Sequence, residues 1–104
     1  KGKDVAVIGG GNSAMDALLA LSKVARKIYS VNVNEQLVGD AVLKAKIEGS
    51  PAISFYNSTK TLEVLGEKGV TGLVVQKMGR GSETVPVSGI FVEIGYSCVW
   101  YIAI

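Results

Sequence analysis

Three consecutive glycines, Gly9-Gly10-Gly11, close a short apolar run and are followed at once by Asn12, Ser13 and Ala14. The run before them, Val5-Ala6-Val7-Ile8, is continuously apolar and mostly β-branched, and apolar residues recur at helical spacing after them. Gly9, Gly11 and Ala14 therefore occupy the three small-residue positions of a strand–turn–helix fingerprint. Each position has a physical task. The first glycine permits the tight turn, the second lets backbone approach a pyrophosphate, and a small third residue lets helix and strand pack closely. The first amides of the helix have no partner within it and point outward, with the helix dipole adding to their attraction for anions. This chemistry is that of a dinucleotide cradle formed by residues 9–14, with Ser13 and Asp16 at capping-box spacing.

Other candidate groups are few. The chain has no histidine, which removes imidazole bases, Ser–His–Asp triads and most zinc sites, and no metal site is expected. Its one cysteine, Cys98, lacks an internal partner and reads as a small apolar residue in a strand. Asp40 reads as a helix N-cap. Glu93 reads as a carboxylate facing solvent or a neighbouring domain, and Tyr96, Trp100 and Tyr101 as packing groups. No catalytic acid, base or nucleophile stands out. A net charge of +2, with scattered Lys and Arg, does not suggest nucleic acid. The apolar segment 89–104 is interrupted by Glu93 and is too short for a membrane span, and a reducing cytoplasm suits a single thiol.

The elements that must position these residues follow from periodicity. Residues 5–8 read as a strand buried on both faces and 13–25 as a helix ending in Lys23, Arg26 and Lys27. Residues 28–33 read as a second strand, completing a right-handed βαβ unit. A short helix over 40–48, stopped by Gly49-Ser50-Pro51, leads to a strand over 52–56. The period then changes. Strands over 58–65, 70–78 and 82–87, joined by two short glycine-containing turns, imply an antiparallel meander, and 89–95 returns to the parallel sheet. The fold class is α/β: a Rossmann-like FAD/NAD(P)-binding layer of parallel sheet with helices, plus an antiparallel β-meander.

The ordered set of motifs resembles the pyridine-nucleotide domain of low-molecular-weight thioredoxin reductases and the related alkyl hydroperoxide reductase flavoproteins. The resemblance is carried by residues 1–17, by Gly39-Asp40-Ala41-Val42-Leu43, by Val70-Thr71-Gly72-Leu73-Val74-Val75 and by Val87-Ser88-Gly89-Ile90-Phe91-Val92-Glu93-Ile94-Gly95. It implies a nucleotide-binding domain over 1–95 and an apolar tail over 96–104 that does not match. In that family the domain is inserted in an FAD domain, NAD(P)H reduces the flavin, and the flavin reduces a Cys-x-x-Cys pair that serves a thioredoxin-like acceptor. By the resemblance, the redox pair and the FAD site fall outside this stretch. The expectation is thus a flavoprotein fragment, an oxidoreductase part that is inactive alone. The resemblance also brings Ile94 and Gly95 to the nucleotide.

Which nucleotide is taken depends on the end of the second strand, where a carboxylate accepts from a ribose 2′-hydroxyl and arginines pair with a 2′-phosphate. NADPH-specific members resembling this chain carry His-Arg-Arg there and a further arginine. Here Asn32, Val33 and Asn34 fill that segment and Val38 the later position. Charge-assisted bonds are worth about 1.5–3 kcal/mol each, so NADH is favoured over NADPH. Asn32 offers an amide oxygen to the ribose and Glu35 a carboxylate that opposes a 2′-phosphate. A second reading from a different class remains open: a standalone nucleotide-binding or self-associating module, or a nonfunctional fragment. Residues 90–104, apolar and free of proline, suit an added strand on the chain's own sheet or a homodimer edge.

Overall fold

The computed structural model describes residues 2–35, 37–67, 69–94 and 97–102, with 93–94 and 97–102 described by their backbone. Its elements run β1 (Asp4–Ile8), α1 (Asn12–Leu21), β2 (Lys27–Val31), α2 (Ala41–Glu48), β3 (Ile53–Tyr56), β4 (Thr59–Leu65), β5 (Gly72–Lys77), β6 (Ser82–Val85), β7 (Gly89–Ile94) and β8 (Ser97–Ile102). A five-stranded sheet has the order β3-β2-β1-β7-β8, and a three-stranded sheet the order β4-β5-β6. β1 pairs in parallel with both β2 and β7. β4, β5 and β6 pair antiparallel, as the meander reading expects.

Alternation along the central strands explains the three layers. Val7, Ile28 and Ile53 pack with Ala14, Met15, Leu18, Leu37 and Ile47 on the helical side. Ala6, Tyr29, Val31 and Ile90 pack with Leu73, Val75, Val85 and Val87 of the antiparallel side. Successive residues of a strand face opposite ways, so a strand covered by helices on one face and a sheet on the other must be apolar throughout. Val5-Ala6-Val7-Ile8 meets that requirement, and Ala6 and Val7 are fully buried.

Three local expectations are corrected. α1 stops at Leu21 instead of near residue 25, because β2 must begin level with β1, Asp4 opposite Lys27, and residues 22–26 make the turn between them. The Ser22 hydroxyl donates to the Leu19 carbonyl at 2.6 Å there. The cations assigned to the helix end consequently serve other partners: Arg26 pairs with Asp4 at 2.6 Å, and Lys27 Nζ lies 5.1 Å from the centre of the Tyr29 ring. Third, the Ser13–Asp16 capping box does not form. The N-cap is Gly11, which bears no side chain, and Ser13 lies inside the first turn of α1. Asp40, by contrast, caps α2 as expected, its carboxylate accepting from the amides of Val42 and Leu43 at 2.9 and 3.0 Å.

The segment after β7 forms β8, paired antiparallel to β7 from Ile94 opposite Ser97 to Gly89 opposite Ile102. The chain's own sheet therefore takes the strand. Cys98, Trp100 and Tyr101 lie on it, while Tyr96, Ala103 and Ile104 are outside the described residues. No helix among the described residues is long and apolar enough to cross a membrane.

Candidate functional site: a cleft at the strand ends

β1 connects through α1 to β2 on one side, while β7 arrives from the antiparallel layer on its other side. The sheet order reverses at β1, and in open α/β sheets the crevice at such a switch point, beyond the carboxyl ends of the strands, receives ligands. The glycine turn lies there. Gly9 has φ +140°, a conformation that side chains other than hydrogen rarely allow, and its amide donates to the Val31 carbonyl at 2.9 Å. Gly10 answers to a different constraint, since a Cβ there would stand 2.4 Å from Asn32 Oδ1 and 2.7 Å from its Cγ.

Gly11 faces outward. A Cβ placed on it meets nothing within 4 Å, so its hydrogen leaves open the space that a phosphate needs for close backbone approach. The first helical bond of α1 runs from the Met15 amide to the Gly11 carbonyl at 3.0 Å. The amides of Asn12, Ser13 and Ala14 consequently have no carbonyl within the helix, and they stand at the positive end of its dipole. Asn12 and Ser13 are exposed, whereas Ala14 is fully buried against the core, where its small side chain permits the close approach of helix and sheet.

The cleft over this turn has a volume of about 710 Å³ and is lined by residues 8–13, 31–34 and 59–61. It thus brings together eight of the residues nominated from sequence: Gly9, Gly10, Gly11, Asn12, Ser13, Asn32, Val33 and Asn34. Glu35 is exposed and outside this lining. Ile94 ends β7 at the same end of the sheet, two residues past the Ile8–Val92 pairing, and Gly95 lies outside the described residues.

Asn32 occupies a buried position, 1% exposed, just past the end of β2. Its Oδ1 accepts from the Asn34 amide at 3.1 Å, and its Nδ2 is buried with no partner. The side chain therefore shapes the loop after β2 from beneath Gly10, with both N–H donors of its amide left unsatisfied beside the cleft. Asn12 is similarly engaged: its Oδ1 accepts from the Asp40 amide at 2.9 Å, while the Val38 amide donates to the Gly10 carbonyl at 2.8 Å. These two bonds dock the segment before α2 onto the turn.

Thr59, Lys60 and Thr61 escaped the sequence reading because they belong to the meander. They reach the cleft through the β3–β4 turn. The Thr59 amide donates to the Asn32 carbonyl at 2.9 Å, the Ser58 amide to Asn34 at 2.8 Å and the Met78 amide to Ser58 at 2.7 Å. Ser58 has φ +52°, a left-handed conformation costly for a residue with a Cβ. The only signal in sequence was the polar Asn57-Ser58 pair between two strand patterns. Thr61 Oγ1, like Asn32 Nδ2, is buried without a partner.

Fold and cleft together define an α/β protein of Rossmann-like build with an antiparallel sheet on one face. The same arrangement is found in thioredoxin reductase from Giardia duodenalis, with a TM-score of 0.86, 25% identity, and coverage of 91% of this chain and 31% of that one. Thioredoxin reductase from Streptococcus pyogenes gives a TM-score of 0.86 at 22% identity over 91% of this chain and 32% of that one. In sequence, the chain is 39% identical over 94 residues to an alkyl hydroperoxide reductase component of Staphylococcus epidermidis and 40% identical over 97 residues to the same component of Pseudomonas putida. These alignments take in 89% and 91% of this chain but only 18% and 19% of the relatives, so it spans about a fifth of their length. No protein-family model matches the chain. The chain belongs to the thioredoxin reductase and alkyl hydroperoxide reductase family, of whose members it represents one part.

Proposed function

We propose that this chain is the NAD(P)H-binding part of an FAD-dependent disulfide reductase and has no turnover by itself. The observation that carries the reading is the open space over Gly11 at the unpaired amides of α1, at the mouth of a cleft of about 710 Å³. The residues present fit the group. Gly11 leaves room for the pyrophosphate and the amides of residues 12–14 donate to its oxygens, the exposed Ser13 hydroxyl adds a donor, and the loop of residues 32–34 meets the adenosine ribose. A bound pyridine dinucleotide supplies a hydride donor, and the protein's task is to bind and orient it. NADH is the preferred form, because Asn32, Val33 and Asn34 carry no charge for a 2′-phosphate. The FAD domain and a thioredoxin-like acceptor belong to the whole enzyme.

Calorimetric titration with NADH, NADPH and FAD tests this. Saturable binding of NADH, with amide shifts concentrated at residues 9–14, is the expected result. Absence of binding by either pyridine nucleotide at millimolar concentration overturns it.

A second reading has its own support. β8 is the last strand of its sheet, and its sequence, Ser-Cys-Val-Trp-Tyr-Ile, is uncharged, so its outer edge is suited to pairing with a second copy. Light scattering that shows a dimer, lost on placing lysine at Val99, supports self-association; a monomer at high concentration removes it.

A further inference from the structure

The loop after β2 lacks the cations that a 2′-phosphate would need, yet the cleft beside it is not without charge. Among the described residues Lys60 is the one charged side chain in its lining, and it comes from β4, in the other sheet. Lys60 is exposed and has no carboxylate partner among the described residues. Its place along the cleft is defined by a second cavity of about 310 Å³, which shares Val33, Thr59 and Lys60 with the first. The glycine turn lines the first cavity and not the second. Lys60 therefore stands at the Val33 end, away from the pyrophosphate cradle and next to the loop that follows β2.

That end is where the adenosine ribose lies when a pyrophosphate occupies such a turn, about twenty residues along the chain from the glycines. The bonds from Thr59 to Asn32 and from Ser58 to Asn34, at 2.9 and 2.8 Å, fix the β4 backbone against this loop. The neighbouring residue is thereby held within reach of whatever the loop contacts. A lysine here is a point charge without the planar fork of arginine, suited to a phosphate but not selective in geometry.

The geometry points to Lys60 as the residue that sets the tolerance of this site for a 2′-phosphate: its ammonium group, delivered from the antiparallel sheet, pairs with the phosphate of NADPH and replaces in part the missing arginines of the β2 loop. This rests on the dinucleotide reading of the cleft. The preference for NADH is accordingly modest in the native chain and widens when Lys60 is lost. Exposed charge pairs contribute little, so the effect is roughly three- to fivefold in Kd and shrinks with added salt.

The test measures Kd for NADH and NADPH with the native chain, Lys60→Gln and Lys60→Arg, together with thermal unfolding of each. Weaker NADPH binding in Lys60→Gln, unchanged NADH binding, an unchanged melting temperature and retained NADPH binding in Lys60→Arg are expected. Equal loss for both nucleotides places Lys60 on the pyrophosphate and overturns the assignment, as does equal binding before and after substitution. Failure of the native chain to bind either nucleotide refutes the dinucleotide reading itself, a result distinct from both.

Discussion

Gly10→Ala separates the turn's structural role from its binding role. The added Cβ stands 2.4 Å from Asn32 Oδ1 and 2.7 Å from Cγ, well inside van der Waals contact. Asn32 has little freedom to retreat, being 1% exposed and bonded through Oδ1 to the Asn34 amide. Overpacking of this kind costs about 1–3 kcal/mol, and losing the Asn32–Asn34 hydrogen bond adds about 1 kcal/mol. A destabilisation of about 3 kcal/mol follows, a fall of roughly 10–20 °C in melting temperature for a domain of this size. The clash names its own partner, so Gly10→Ala and Asn32→Ala must be non-additive. Asn32→Ala alone is destabilising, since it opens a cavity and strips the Asn34 amide of its acceptor, but it removes the atoms that the alanine at 10 would strike. Urea unfolding of both single variants and the double variant yields the coupling energy, expected at about 1–2 kcal/mol in the rescuing direction. Strict additivity, or Gly10→Ala as stable as the native chain, refutes the packing argument.

Three further outcomes are expected. Gly11→Ala, whose Cβ enters open space at φ −94° and ψ −166°, changes unfolding free energy by less than about 1 kcal/mol yet weakens NADH binding at least tenfold by calorimetry. Asp40→Ala removes the acceptor for two amides of α2 and costs about 1 kcal/mol in urea unfolding. Tyr56 is held above the ordinary phenol value of 10.0 by burial, then by the charge of Glu83 and the hydrogen bond its hydroxyl donates to that carboxylate at 3.3 Å. Above pH 10 the unfolded chain loses this proton first, so Tyr56 opposes folding increasingly as pH rises through the raised value and has no such effect below 10. Phenolate absorbance read against pH, with Tyr56→Phe as control, measures it; a Tyr56 that ionises with exposed tyrosines sinks the argument.

The parallel half of the fold was legible because its signals are local. Val5-Ala6-Val7-Ile8 declared a strand covered on both faces, the glycines a turn, and Asp40 a cap whose carboxylate accepts the two amides expected of it. What was not legible was non-local. The end of α1 is determined by where β2 must start relative to β1, a matter of register and not of helix-forming residues. The fate of Arg26 depends on Asp4, twenty-two residues away in sequence and adjacent only once the sheet exists. The cleft divides along the same line. Residues 9–13 were readable from their own spacing, while the buried position of Asn32 required knowledge of what Gly10 leaves room for.

Lys60 follows the same logic most fully. In sequence it sits in the polar start of a strand, Ser58-Thr59-Lys60-Thr61, where lysine ordinarily marks a solvated face. It comes to line the cleft because a left-handed residue, Ser58, turns the chain from β3 into β4 against the β2 loop. Strained backbone at a non-glycine residue persists where its surroundings require it, and such residues gather at functional sites. Here the three hydrogen bonds donated by the Thr59, Ser58 and Met78 amides hold Ser58 in that conformation. The second sheet is thus more than a cover for the core. It lines one wall of the cleft with Thr59, Lys60 and Thr61 and supplies the one charged side chain among the described lining residues, so under the proposed dinucleotide reading the two sheets would share the choice of nucleotide.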